Sequence, residues 1–131
     1  MKKIVLTMFL LMSLMIHGQN SKSVLFEPNL LAINEAMNSK YLVKETTKDK
    51  FYVTNDRLTI YPEGKTQSFS LGLSFNGKME KDGAIAYVYD TNSKKFKSVT
   101  VMYNAGRIIA VVMIMENTSD NKYYCYNYVK L

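Results

Sequence analysis

Eight consecutive apolar residues, 108–115 (IIAVVMIM), form the most hydrophobic stretch in the second half of the chain. Five of them are β-branched, which favours a strand: Ile108, Ile109, Val111, Val112 and Ile114. Because successive strand residues point to opposite faces, the even-numbered and the odd-numbered residues here would both make apolar faces. The pattern predicts the central strand of a sheet, covered on both sides. A buried helical segment is the alternative for so short a run.

A helical spacing occurs once, near the start of the domain. Leu30, Ile33, Met37 and Tyr41 follow one another at intervals of three, four and four residues. This spacing places them on one face of a helix. Pro28 favours an extended conformation of the preceding residue, and Asn29 is the expected helix cap. The pattern predicts a helix over 28–39 that packs on a sheet.

After residue 41 the apolar residues recur with a period of two. The clearest case is 68–75, where Phe and Leu alternate with Ser and Gly. Asn55-Asp56 indicates a hairpin, and Asn76-Gly77 and Asp82-Gly83 bracket a polar connection. Further strands are expected in four segments: 84–89, 96–103, 108–115 and 123–131. Together these patterns predict an α+β fold, in which one N-terminal helix covers an antiparallel meander of about six or seven strands.

The first 18 residues have the composition of a secretory signal peptide. Lys2 and Lys3 precede a mainly apolar run at 4–16, which is too short to cross a bilayer stably. We expect cleavage after Gly18, an uncleaved anchor being the alternative. The remaining 19–131 would be one bacterial domain without a transmembrane span, exported to the periplasm or beyond the cell.

Charge and composition exclude several kinds of function. Loss of the leader lowers the net charge from +6 to +4, and the lysines are dispersed, so nucleic-acid binding is not expected. The single histidine, His17, lies in the leader, and Cys125 is the single cysteine, expected to be a buried core residue. Neither a zinc site of the usual kind nor a Ser-His-Asp triad can form in 19–131. We expect no cofactor, no metal and no enzyme of these kinds; a hydrolase with two carboxylates would need one carboxyl pKa raised.

Tyrosine is the residue type that suggests a binding site. The chain has ten, four of them between 123 and 128. Phenol rings on neighbouring strands can stack on sugar rings or line a pocket, although ordinary core packing is the alternative. The candidate ligand-binding residues are six: Tyr87, Tyr89, Tyr103, Tyr124, Tyr126 and Tyr128.

Two functions are compatible with these residues. The first is an exported binding protein whose tyrosine-lined surface or pocket takes a small molecule, a glycan or part of an envelope protein. The second is a protein-interaction or inhibitory module that offers its last strand, 123–131, as an edge for strand addition.

Overall fold

The computed structural model describes residues 23–38 and 40–131, and these residues form an all-β fold. The strands are β1 (Val24–Phe26), β2 (Leu30–Glu35), β3 (Tyr41–Thr46), β4 (Lys50–Val53), β5 (Arg57–Tyr61), β6 (Phe69–Lys81), β7 (Ala84–Thr91), β8 (Phe96–Asn104), β9 (Arg107–Asn117) and β10 (Lys122–Val129). The predicted signal peptide at 1–18 lies outside the described residues. Among the residues that are described, no helix is long and apolar enough to cross a membrane.

The ten strands form one antiparallel sheet, in the order β1-β4-β5-β6-β7-β8-β9-β10-β2-β3. Two short connections force this sheet to curl. β1 and β2 stand eight positions apart, roughly 38 Å in a flat sheet, yet the chain passes from Phe26 to Leu30 in four steps of at most about 14 Å in all. The link from β3 to β4 is equally short and joins the last strand in the order to the second. The sheet is therefore curled into a half-barrel.

The hydrophobic core fills the concave side of this curl. β6 makes the bend, because its first residues pair with β5 and those from Leu73 onward pair with β7. On one side of the core lie Phe51, Leu58 and Ile60, each at most 2% exposed. Val99, Val101, Val111 and Met113 face them from β8 and β9. The short connections thus close the sheet over a single core.

The predicted helix over 28–39 is wrong, and so is the α+β fold class. Residues 30–35 form β2, which is hydrogen-bonded between β10 and β3. Met37, expected on the buried helical face, is fully exposed in a turn with φ of 70°. The residues with the helical spacing therefore belong to different structures: Leu30 and Ile33 lie in β2, and Met37 lies in the turn after it. Pairing on both sides of β2 supplies the backbone hydrogen bonds that a helix would have supplied.

The predicted central strand is confirmed: β9 lies between β8 and β10. Contrary to the expectation, the even-numbered residues of 108–115 do not all share one face, because a bulge between Met102 and Tyr103 shifts the register. Ile108 consequently lies opposite Tyr103, on the same concave face as Val111. Within the described ranges the sheet has ten strands rather than six or seven.

The final strand is not an edge of the sheet. The second functional hypothesis is therefore wrong about which strand would accept a partner strand. β10 is hydrogen-bonded to β9 along 122–129 and to β2 along 124–129. Both its sides are occupied, so it has no free edge for strand addition. The terminal strands of the order are β1 and β3.

Two tight turns shape one end of the sheet. Asp82 and Gly83 link β6 to β7, and Ala105 and Gly106 link β8 to β9. All four have positive φ, between 52° and 83°, the conformation of the two-residue turn that matches strand twist. The expected connection at Asn76-Gly77 is instead a bulge, through which β6 continues to Lys81.

Candidate functional site

A cleft of about 500 Å³ opens at the end of the sheet where these two turns lie. One wall is the concave face of β7 and β8, and the other is formed by β1, β4 and the residues after β4. The lining residues are Val24, Val53, Thr54, Asn55, Gly83, Ile85, Tyr87, Tyr89, Tyr103, Ala105 and Gly106. The cleft therefore exists only because the curl brings β1 and β4 over β7 and β8.

Three of the six candidate tyrosines converge in this cleft. The register places Tyr103 opposite Ile85, two residues from Tyr87 on the same face of β7. The rings of Tyr87 and Tyr103 meet at 87°, with centroids 5.5 Å apart. This edge-to-face arrangement gives the cleft two ring surfaces that are almost perpendicular.

Phe75 extends the aromatic surface beyond the cleft. It lies opposite Tyr89, and its ring centroid is 6.1 Å from that of Tyr89 and 6.4 Å from that of Tyr87. Phe75 is 61% exposed, although the alternating pattern of β6 placed it on the core face. Phe75 thus adds an exposed ring beside two of the cleft tyrosines.

The cleft is electrically neutral. No ionisable acid or base other than the phenols is among its lining residues. On the adjacent strand, Lys78 and Glu80 neutralise each other in an ion pair of 3.2 Å. Burial raises the pKa of Tyr89 and Tyr103 above the usual 10.0, and the neighbouring phenols add to this shift. The phenols of Tyr89 and Tyr103 are therefore uncharged at neutral pH, and a phenol group can both donate and accept hydrogen bonds.

The hydroxyl groups of the three tyrosines are available to a ligand. Among the hydrogen bonds formed by the described residues, none uses the hydroxyl of Tyr87, Tyr89 or Tyr103. No buried side-chain polar atom in this part of the chain lacks a partner. The three hydroxyls therefore reach solvent, where a ligand could replace water as their partner.

The other three candidate tyrosines are on the same concave face but outside the cleft. Tyr126 and Tyr128 lie opposite Met113 and Val111 of β9, and these in turn lie opposite Val99 and Val101 of β8. Two strands thus separate β10 from β7. Tyr128 is 7% exposed, and burial raises its pKa far above the usual value. Tyr128 is a core residue, and Tyr126 is partly buried and packs against the core.

Tyr124 has a separate local role. Its hydroxyl donates to the Asp120 carboxylate at 2.6 Å, which lowers the pKa of Asp120 and raises that of Tyr124. The bond fastens the turn before β10 to the strand itself. A two-carboxylate hydrolase requires the opposite direction of shift at a carboxyl group. In 23–38 and 40–131, no group of three acidic, histidine or cysteine side chains is placed to hold a metal ion.

Cys125 is only partly buried, contrary to the expectation that it is a core residue. It lies opposite Ile114 and Asn34, on the convex face of the sheet. Burial nevertheless raises the pKa of its thiol, so the thiol is protonated and poorly nucleophilic at neutral pH.

The sequence did not indicate the second wall of the cleft. Val24 and Val53 come from segments whose pairing in β1 and β4 brings them together. The Asn55-Asp56 pair indicates only a hairpin turn. Local patterns could identify the turns at Gly83 and Gly106, but not their position opposite β1.

No protein-family model matches the chain, and no match was found among curated proteins or solved structures.

Proposed function

We propose that this chain is a small binding protein whose cleft between β1, β4 and the β7–β8 hairpin takes an uncharged, partly apolar ligand. A sugar ring, free or at the end of a glycan, is the ligand class that fits this description best. The observation that carries the proposal is the convergence of Tyr87, Tyr89 and Tyr103 in one open cleft of about 500 Å³.

The chemistry of the walls supports a neutral sugar. The C–H face of a pyranose packs on an aromatic ring, while its hydroxyl groups need partners that both donate and accept hydrogen bonds. Tyr87 and Tyr103 supply ring faces and phenol groups together, and Asn55 and Thr54 supply further polar groups on the opposite wall. A cleft of about 500 Å³ lies within the usual range of about 300–1,000 Å³ for small-molecule sites.

Titration with neutral sugars followed by amide NMR tests the proposal. Neutral mono- and disaccharides are the probes, and a uronic acid of the same ring size is the charged comparison. We expect saturable shifts confined to 53–55, 83–89 and 103–106, with weaker binding of the charged sugar. Absence of saturable binding by any of the neutral sugars would refute the sugar proposal.

Tyr103→Ala is the decisive variant, and Tyr123→Ala is its matched control. Tyr123 is 44% exposed and lies on β10, outside the cleft. Loss of one stacking ring should weaken binding by about tenfold, equivalent to about 1.4 kcal/mol, whereas the control should bind as the wild type does. Equal effects of both changes would show that the sugar does not bind in this cleft.

We further propose that the protein acts after export, as residues 2–18 suggest. Mass spectrometry of the intact protein from its own cells would find a chain that begins near Gln19. A full-length chain that starts at Met1 would contradict cleavage at this site.

A further inference from the structure

A groove of about 280 Å³ crosses the convex face of the sheet, on the side opposite to the core. Its lining comes mainly from five neighbouring strands: β3, β2, β10, β9 and β8. On β2, Leu31 lies opposite the core residue Tyr128, so Leu30 and Ala32 point to the other face. Since neighbouring strands lie about 4.8 Å apart, four spacings give the groove a length of about 19 Å.

Short side chains form the floor of this groove. Ala32 lies opposite Asn127, and Ala110 lies opposite Val129 and Met102. Ala32 is only 3% exposed and Ala110 only 7%, although both belong to the outer face. The longer side chains around the two alanines therefore stand above them and form apolar walls.

A single charged side chain lies at the β3 end of the groove. Lys44 lies opposite Ala32, and of the described residues that line the groove it is the only Lys, Arg, Asp or Glu. Its ammonium group is 5.9 Å from the centre of the Tyr41 ring, which also lines the groove. The ion pairs formed by the described residues do not include Lys44. An anion at this end of the groove would therefore meet an ammonium group without a carboxylate partner.

Asn127, the other polar residue on the floor, offers an anion no competing donor. Its Nδ2 donates to the Ala32 carbonyl at 2.9 Å and to Oδ1 of Asn34 at 2.7 Å. Both N–H groups of the amide are thus used within the sheet, and its carbonyl oxygen does not attract an anion. A negative charge is therefore expected at Lys44, and an apolar group over Ala32 and Ala110.

We propose that this groove binds a fatty-acid-like anion, a single unbranched alkyl chain with a carboxylate at one end. The carboxylate would accept a charge-assisted hydrogen bond from Lys44, and the alkyl chain would cross β2, β10 and β9. At roughly 30 Å³ for each non-hydrogen atom, the space that one water molecule takes in the liquid, the groove holds about nine such atoms. Octanoate is close to this size.

Titration with octanoate below its micellar concentration, followed by amide NMR, tests the proposal. We expect saturable shifts in 30–32, 41–44, 110–112 and 127–131. Binding of 1-octanol, which has the same chain and no charge, should be about tenfold weaker. Equal affinities for the two probes would overturn the proposal. So would a lack of saturable octanoate binding, or shifts that appear only with vesicles of anionic phospholipid.

Lys44→Met is the decisive variant, because methionine keeps an unbranched apolar side chain and removes the charge. The change should weaken octanoate binding by about tenfold and leave 1-octanol binding unchanged. Lys48→Met is the matched control: Lys48 is exposed in the connection between β3 and β4, outside the groove, so its loss should affect neither probe. Equal losses of octanoate binding in both variants would show attraction to the net charge of the protein and would refute recognition by Lys44.

A series of carboxylates from butanoate to dodecanoate measures how much of the chain the groove covers. Each covered methylene group should strengthen binding by about fourfold. The gain should stop near octanoate or decanoate, where the groove is full. A gain that continues unchanged to dodecanoate would indicate adsorption on an open surface and would refute the groove as the site. Sugar binding in the cleft, on the concave face, is independent of these results.

Discussion

The rings of Phe51 and Tyr128 pack edge-on, with centroids 4.6 Å apart at 62°, although their strands stand second and eighth in the sheet. This contact lies across the concave side, where the two ends of the sheet meet. Around it the short connections are tied by Asn29, whose backbone carbonyl accepts from Thr47 N–H at 3.2 Å and whose side chain accepts from Leu131 N–H at 2.9 Å. A ring contact, a backbone bond between the two connections and a side-chain bond to Leu131 thus join the ends of the curled sheet.

Phe51→Ala should destabilise the fold severely. Phe51 is fully buried, so the change removes a large apolar side chain and leaves a cavity that costs about 3–5 kcal/mol. Chemical denaturation measures the loss. Tyr52→Ala is the control on the same strand: Tyr52 is 37% exposed and its ring packs edge-on against Tyr61, so its loss should cost about 1 kcal/mol.

A double-mutant cycle of Phe51→Ala and Tyr128→Ala measures how much the ring contact itself contributes to the free energy of unfolding. We expect a coupling energy of about 0.5–1.5 kcal/mol. Additive effects of the two changes would show that the ends of the sheet are held by the connections alone.

Stability should fall as the pH rises above 10, and Tyr128 should account for part of the fall. Burial raises the pKa of Tyr128 above the usual 10.0, with smaller contributions from the charge of Asp49 and from Tyr126. Below pH 10 the phenol is protonated in both states and contributes no pH dependence. Above pH 10 the unfolded chain releases the proton while the folded chain keeps it. The free energy of unfolding therefore decreases with pH, by about 1.4 kcal/mol per pH unit for each such tyrosine.

Urea unfolding between pH 8 and pH 11 measures this dependence. Tyr128→Phe should reduce the slope above pH 10. Tyr89 and Tyr103, whose pKa values are also raised, would account for a remaining slope. Identical slopes in wild type and Tyr128→Phe would show that Tyr128 ionises as easily in the folded state as in the unfolded state.

Sequence patterns predicted local pairing better than the overall arrangement. The hairpin at Asn55-Asp56 and the central position of β9 depend on neighbouring strands, and both are found. The curl depends on pairs distant in sequence, such as Val24 with Val53 and Tyr128 with Leu31. No local period encodes these pairs, so neither the number of strands nor the second wall of the cleft could be predicted.

In the candidate site, too, local positions were predictable and contacts between distant segments were not. Alternation along β7 gives the shared face of Tyr87 and Tyr89, and the pairing of Tyr103 with Ile85 places Tyr103 on that face. Residue type alone could not distinguish these cleft tyrosines from the core residue Tyr128. The difference is whether a side chain of β4 packs directly on the tyrosine ring. Tyr128 contacts Phe51, whereas Tyr103 faces an open cleft.

Gly72→Ala should destabilise the protein by about 1 kcal/mol. A Cβ at this position would lie 2.9 Å from Nδ2 of Asn92, whose Oδ1 accepts a hydrogen bond from Gly72 N–H at 2.9 Å. The amide must move away, so this bond is lost. In an Asn92→Ala background the same change should cost less, because the obstacle and the bond are already absent.

Gly77→Ala is the control for this prediction. No atom lies within 4 Å of a Cβ at Gly77, so the change should be neutral or slightly stabilising. An equal cost of Gly72→Ala in both backgrounds would show that backbone conformation, rather than Asn92, requires glycine at position 72.

Met37→Asn should leave the free energy of unfolding unchanged or raise it by up to about 1 kcal/mol, since Asn tolerates the left-handed conformation better than Met. Met37 is fully exposed with φ of 70°, and the turn is held by Asn38 N–H donating to Glu35 C=O at 3.0 Å. In a helix over 28–39, Met37 would face the core, and the same change would cost several kcal/mol. Ile33→Asn is the control, because Ile33 packs on the core from β2 and its replacement should be strongly destabilising. The helical spacing treats Met37 and Ile33 as equivalent, but chemical denaturation should show a large decrease in the free energy of unfolding only for Ile33→Asn. A large decrease for Met37→Asn would contradict the turn.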